Sequence, residues 1–400
     1  MFSSEFWNIY AEATKTALGF FWKAGWAFVL GYFISAMIQT FVPKRNLTRV
    51  MGKASPQSIL FATGFGAVSS SCSFAALAAA RALLSKGAHF IAAVAFMFAS
   101  TNLVIELGIL IYIFLGWQYL AAEIIGGLIL IAISSVLIRL TYPKSWMQRA
   151  REKVEGEAES GTDDFDWRQR LVSREGWQMV GHTFVMDWLM VWKEVLIGFV
   201  VAGFVSVLVP PAVWGQIFLI DMTSTLPAWV IAVENALVAP FVAAATFIGS
   251  MGNIPLATVL ASNGVMFAGL MGFIYSDLMV PPLVAVNAKY YGYRVALYIA
   301  GIMYISIVAT ALILSGSFAL LGISPESART VTDIVQFQID YTFWLNLAFM
   351  AVTASLLFLA SKHKHDGHGH NMEGDGPIKR VATAGAIAVL GGGVLVWAFV

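Results

Sequence analysis

The chain has 400 residues, of which 59% are hydrophobic and only 12% charged, with a mean hydropathy of +0.77. Soluble domains carry about 25% charge and about 45–50% apolar residues, so a water-soluble globular protein is excluded and lipid must serve as part of the solvent. A net charge of +1 gives no polyelectrolyte signal for nucleic acid, and the single cysteine, Cys72, excludes an internal disulfide framework or a multi-cysteine zinc site.

Residues 1–15 lack the basic start, short apolar core and small-residue cleavage site of a signal peptide, so the first apolar run reads as a retained span. A crossing helix needs about 20 mostly apolar residues. Such windows run over 17–41, 89–115, 119–140, 195–213, 266–286, 295–314, 342–359 and 382–400. Two more stretches, 58–84 and 229–261, are apolar but interrupted by Ser, Gly and Pro.

Cytoplasmic loops retain Lys and Arg. Lys44, Arg45, Arg49 and Lys53 follow the first span, and a further cluster from Lys144 to Lys193 fills the long polar segment. Arg81 and Lys86 close the first interrupted stretch. If that stretch crossed fully, these two residues would lie outside and every later loop would be reversed. A hairpin that returns to the cytoplasm keeps the basic loops together. The same parity makes 229–261 a hairpin entering from the periplasm. The expected fold class is an all-α polytopic membrane protein of about eight transmembrane helices and two re-entrant hairpins. Kinked full spans remain the alternative.

The hairpins resemble each other at an offset of 177 residues: Ser73 matches Ser250, Ala80 matches Ala257, Leu83 matches Leu260 and Gly87 matches Gly264. Each unit holds three crossings, an odd number, so the second is expected upside down relative to the first. This predicts a first repeat over 1–141, a cytoplasmic loop over 142–193 and an inverted repeat over 194–318. C-terminal helices over 319–400 flank a His-rich cytoplasmic loop at 362–380. Residues 177–192 are amphipathic and expected to lie on the inner leaflet. Inverted repeats with broken helices meeting at mid-membrane are a transporter architecture.

The first break reads Ser69-Ser70-Ser71-Cys72-Ser73, which leaves hydroxyls and a thiol at depth. Small residues also simply let helices approach closely. A thiolate favours soft ions. The second reads Gly249-Ser250-Met251-Gly252-Asn253-Ile254-Pro255, where Pro255 is expected to break the helix. Cys72, Ser71, Ser73, Ser250 and Asn253 are the candidate substrate ligands, with Gly87, Gly264 and Pro255 as structural breaks. Asn102 and Glu106 stand four apart, as if on one helix face, and Asp277 lies in the equivalent span. Intramembrane carboxylates mark ion pathways. Asn102, Glu106, Asp277 and Glu234 are the candidate coupling residues, with structural hydrogen bonding as the alternative. Glu123, near a span end, reads as interfacial. His363, His365, His368 and His370 could bind metal loosely or belong to a solvated linker.

Ser71-Cys72-Ser73, then Leu83-x-x-x-Gly87 and Ala95-Phe96-Met97-Phe98-Ala99-Ser100-Thr101-Asn102, resemble the bacterial predicted-permease family that includes organoarsenical efflux permeases. Ile254-Pro255-Leu256-Ala257 with Leu260-x-x-x-Gly264 is similar to its repeated signature. The resemblance implies export of trivalent organoarsenicals from a bacterial inner membrane. The chain departs in carrying one cysteine where the family often has a pair. The resulting expectation is a multi-pass secondary transporter, moving a small thiophilic metal(loid) or organometalloid species outward. A channel-like pore is the alternative. No metal motif or Ser/Lys dyad on the spans points to an enzyme, and no cofactor is expected. The expected partners are the substrate and the bilayer, with room for a homo-oligomer.

Overall fold

The computed structural model describes residues 4–41, 51–69, 73–85, 87–143, 146, 148, 167–246, 250–325, 331, 337, 339–362 and 377–399. Among these the chain is helical, without strands. The first half contains α1 (Ser4–Phe41), α2 (Pro56–Ser69), α3 (Ser73–Ser85), α4 (Phe90–Asn102), α5 (Ile105–Phe114) and α6 (Trp117–Thr141). A short α7 (Trp167–Val172) leads into α8 (Arg174–Leu208) and α9 (Pro211–Ile217). Then come α10 (Ala228–Thr246), α11 (Ser250–Ser262), α12 (Phe267–Ile274), a 3-10 turn (Tyr275–Met279), α13 (Pro281–Tyr291) and α14 (Tyr293–Leu321). The last helices are α15 (Tyr341–Ser361) and α16 (Pro377–Phe399). Among the described residues, six helices are long and apolar enough to cross a membrane, or up to nine if each bent pair counts as one span. The protein is an all-α polytopic membrane protein.

The offset of 177 recurs in the backbone. Helix α2 ends at Ser69 and α10 at Thr246; α3 covers Ser73–Ser85 and α11 covers Ser250–Ser262. Helix α4 begins at Phe90 and α12 at Phe267, while α4 ends at Asn102 and the 3-10 turn at Met279. The turns between them are alike. Gly87 (φ 95°) and Gly264 (φ 89°) adopt the left-handed conformation that favours glycine. Each closes the preceding helix with paired bonds: Gly87 N–H to Leu84 O and Ala88 N–H to Leu83 O, then Gly264 N–H to Ala261 O and Val265 N–H to Leu260 O. These bonds satisfy carbonyls that the helix end leaves unpaired.

Packing follows the same correspondence. Helix α2 lies on α4 as α10 lies on α12, and α4 lies on α6 as α12 lies on α14. The first helices of the two halves run antiparallel along their length. Gly203 of α8 meets Ala17 of α1, Phe199 packs on Phe20 and Phe21, Trp188 on Phe28, and Trp177 on Phe41. Helices α6 and α14 are antiparallel as well, with Gly126 against Leu314 and the Thr141 hydroxyl 2.8 Å from that of Tyr298.

Three expectations change. Residues 177–192 do not form a separate surface helix. They continue α8, a single helix of 35 residues, because Trp177, Asp187 and Trp188 all find partners on α1. Pro255 lies inside α11 rather than at its break, and Pro240 lies inside α10. Helix α16 also departs from simple alternation. Its Val389 and Gly393 meet Tyr10 and Thr14 respectively, so it runs parallel to α1 beside the N-terminal part of that helix. Helix α15, with Asn346 bonded to Trp22 and Trp26 and Phe349 against Trp26, is parallel to α1 further along.

Candidate functional site

Both broken spans bend by 41° where polar side chains crowd the backbone. At the end of α4, the hydroxyls of Ser100 and Thr101 donate to Met97 O, and the Asn102 amide donates to Phe98 O. Such back-bonding competes with the helix ladder and loosens its last turn. The helix stops at Leu103 and restarts at Ile105, which puts Glu106 in the first turn of α5. Asn102 and Glu106 therefore sit on two different helices rather than on one helix face. In the second half, the 3-10 turn contains Ser276 and Asp277, and Pro281 opens α13. Proline supplies no N–H to continue a helix and holds Val280 extended.

Each hairpin reaches across to the broken span of the opposite half. Helix α3 packs on α13, and α11 packs on α5. At the first crossing Ser73, the first residue of α3, donates its hydroxyl hydrogen to Asp277 Oδ2 at 3.0 Å, with both residues buried. Two turns further along, the Arg81 guanidinium lies over the Tyr290 ring at 4.6 Å. A helix N-terminus carries positive partial charge, so the α3 start suits a neighbouring carboxylate.

At the second crossing, Asn253 is fully buried in α11. Its Oδ1 accepts from the Thr246 hydroxyl at 3.5 Å across the hairpin break, whereas its Nδ2 has no acceptor among the described residues. Met251 Sδ accepts a 3.3 Å bond from the Tyr32 hydroxyl on α1, so this soft atom is pinned to the neighbouring helix. Ser250 opens α11, at the position that corresponds to Ser73. Ser71, Cys72 and the tail histidines His363, His365, His368 and His370 lie outside the described residues. Among the described residues no group of three or more His, Cys, Asp or Glu could hold a metal ion.

Glu234 is half-buried and accepts a 2.8 Å bond from the Asn235 amide. Asn235 itself is a bracket: it donates to Phe218 O at 2.7 Å and accepts from Met266 N–H at 3.0 Å, tying the end of α9 to the start of α12. Glu106 packs against Gly31 of α1 so closely that a methyl group at residue 31 would overlap its Cβ.

Glu123 was missed as a site residue by the sequence reading. It is 1% exposed, not interfacial, because α6 is covered at that level by the second half. The Tyr275 hydroxyl donates to Ala122 O at 2.8 Å, and the ring fits where Gly126 has no side chain. Only the distance of Glu123 from the predicted end of its span could be read from the sequence. The tyrosine that buries it arrives from a position 152 residues away.

The pattern that defines a family described as a predicted permease matches residues 9–316. A protein of Mycobacterium tuberculosis named as a permease, Rv2963, is 38% identical over 328 residues, covering 79% of each chain. No solved structure matches the chain. The matched residues contain both hairpins, both broken spans and the crossing of Ser73 with Asp277. The chain belongs to the predicted-permease family.

Proposed function

We propose that this membrane permease is a secondary transporter of the bacterial inner membrane that exports a small thiophilic metalloid or organometalloid species by alternating access. The observation that carries the reading is the bond between Ser73 and Asp277, which ties the edge of one hairpin break to the broken span of the opposite half. Cys72 is next to Ser73 in the chain, so a soft ligand stands in sequence beside that junction. Irregular backbone at membrane depth persists where protein or a polar cavity satisfies it. Substrate would meet Ser71, Cys72 and Ser73 from one side and Ser250 and Asn253 from the other. The orphaned Asn253 amide supports a polar ligand there.

The repeats are read as inverted. The antiparallel pairing of α1 with α8 and of α6 with α14 supports this, because those helices occupy equivalent places in the two halves. Rocking of one half against the other would open the junction to each face in turn. Asn102, Glu106, Asp277 and Glu234 are the coupling candidates, with Asp277 foremost because it touches the hairpin directly.

The test uses everted membrane vesicles from cells that lack other arsenical exporters. Uptake of a trivalent organoarsenical should saturate, collapse with the proton gradient and fall at least tenfold in Cys72→Ala. Non-saturating uptake that ignores the gradient would favour a pore, and unchanged uptake in Cys72→Ala would remove the thiophilic substrate.

A further inference from the structure

We propose that the cytoplasmic ends of α6 and α14 form a binding site for an anionic phospholipid of the inner leaflet, with Arg139 and Arg294 on its phosphate. The inference goes beyond the transport reading and holds whatever the cargo is. The site joins equivalent helices of the two halves. Their register is fixed at two levels: Gly126 meets Leu314, and the Thr141 hydroxyl is 2.8 Å from that of Tyr298. Arg139 is two residues before Thr141, in the last turn of α6, and Arg294 is four residues before Tyr298, in the first turn of α14. Because the helices are antiparallel, the two arginines flank the hydroxyl pair from opposite sides, about 9 Å apart along the axes at 1.5 Å per residue. The Arg294 guanidinium also lies 6.0 Å from the centre of the Trp146 ring, in the chain just beyond α6.

The charge at this corner has one sign. Residues 134–151 carry Arg139, Lys144, Arg149 and Arg151 and no acid, and residues 281–300 carry Lys289 and Arg294 and no acid. Arg139 and Arg294 are both exposed, and neither belongs to an ion pair among the described residues. Arg294 stands at a helix start, where positive partial charge already collects, and Gly292 before it brings no side-chain cap. A cation in that first turn opposes the helix dipole, and a bound anion relieves the conflict. Guanidinium groups suit a phosphate because their planar N–H donors meet two of its oxygens at once.

Apolar surface beside the arginines selects a lipid over a free anion. Leu140, next to Arg139, is 77% exposed, and Leu297, three residues after Arg294, is 64% exposed. Basic side chains next to bare leucines fit a molecule with an anionic head and acyl chains, whereas free phosphate would leave the leucines unused. Trp146, Tyr293 and Tyr298 gather at the same level, as aromatic rings do at a membrane–water interface. The other end of the helix pair supplies the contrast. Residues 117–122 and 311–322 hold no charged residue, so only one leaflet meets a basic site. Cytoplasmic loops retain Lys and Arg, which makes that leaflet the inner one. A lipid seated there bridges α6 of the first half to α14 of the second.

The experiment is native mass spectrometry of the full chain, released from detergent after titration with phosphatidylglycerol or phosphatidylcholine. Wild type should bind the first phosphatidylglycerol about tenfold or more tightly than phosphatidylcholine, as a net negative head beside two arginines implies. Arg139→Gln combined with Arg294→Gln should bring that ratio to within about twofold, whereas Arg139→Lys with Arg294→Lys should keep most of it. Arg168→Gln, on α7, is the control and should leave the ratio unchanged. A second measurement keeps both arginines. In a Cys72→Ala background, a fluorophore on Leu297→Cys should be quenched more by spin-labelled phosphatidylglycerol than by spin-labelled phosphatidylcholine in nanodiscs. Equal affinities in wild type, a preference that survives the double Gln variant, or equal quenching by the two lipids overturns the proposal. So does release of phosphatidylglycerol by inorganic phosphate, which would mark a free-ion site. Failure to carry arsenicals in vesicles would sink the substrate reading and leave the lipid ratio untouched.

Discussion

Ser73 and Asp277 are 204 residues apart in the chain and 3.0 Å apart in the fold. A hydroxyl bonded to a buried carboxylate contributes about 1.5–3 kcal/mol, more than a neutral pair, because the acceptor is charged or strongly polar. Ser73→Ala should lower the unfolding free energy of the detergent-solubilised protein by about that amount. Ser73→Thr, which keeps the hydroxyl, should stay within about 1 kcal/mol of wild type. Thermal unfolding followed by size exclusion reads both, and equal stability of all three chains would remove the bond from the account.

Gly203 of α8 lies directly against Ala17 of α1. A methyl group there would meet the backbone and Cβ of Ala17, with no flexible atom to yield. Gly203→Ala should therefore destabilise by about 1–3 kcal/mol through overpacking. Gly64 gives the contrasting case: nothing lies within 4 Å of its added methyl. Gly64→Ala in the interior of α2 should stabilise by about 0.5–1 kcal/mol through backbone entropy. Chemical unfolding of the two variants side by side should show opposite signs.

Much of this was legible in the sequence and some was not. Apolar windows of about 20 residues marked the spans because lipid imposes that length. Gly87 and Gly264 marked the hairpin turns because a left-handed residue is required at each. The helix breaks at Ser100–Asn102 and at Pro281 were signalled by residues that disrupt the backbone ladder locally. Glu123 was not legible, since its burial depends on Tyr275 arriving from the other half. Pro255 misled because tertiary packing holds α11 helical through a residue that usually ends a helix. The length of α8 was hidden for a related reason: charges near Asp187 look like surface, yet Gln39 of α1 donates a 2.7 Å bond to that carboxylate.

Asp340 caps α15 and anchors it to α1. Its carboxyl accepts from the Thr342 and Phe343 N–H groups and from Lys23, whose ammonium is 3.4 Å away. Partial burial pushes the carboxyl up, but the bonds from Phe343, Lys23 and Thr342 outweigh it and hold Asp340 below the usual carboxylate range. A lowered value means stability that is fully present above the unfolded value, 3.8, and is lost as pH falls through the folded value. Asp340→Asn should be less stable than wild type at pH 7, and the two should converge as the pH drops below about 3.8. A gap in melting temperature that persists in acid would contradict this role.

The central claim is that the two halves enter the bilayer from opposite faces. Ser85 and Ser262 end the equivalent helices α3 and α11 at the turns of the two hairpins. In a Cys72→Ala background, Ser85→Cys and Ser262→Cys can each be challenged in intact cells with a membrane-impermeant maleimide. Labelling of Ser262→Cys in intact cells, with labelling of Ser85→Cys only once the cells are opened, is the outcome this account predicts. Labelling of both from a single face would contradict it.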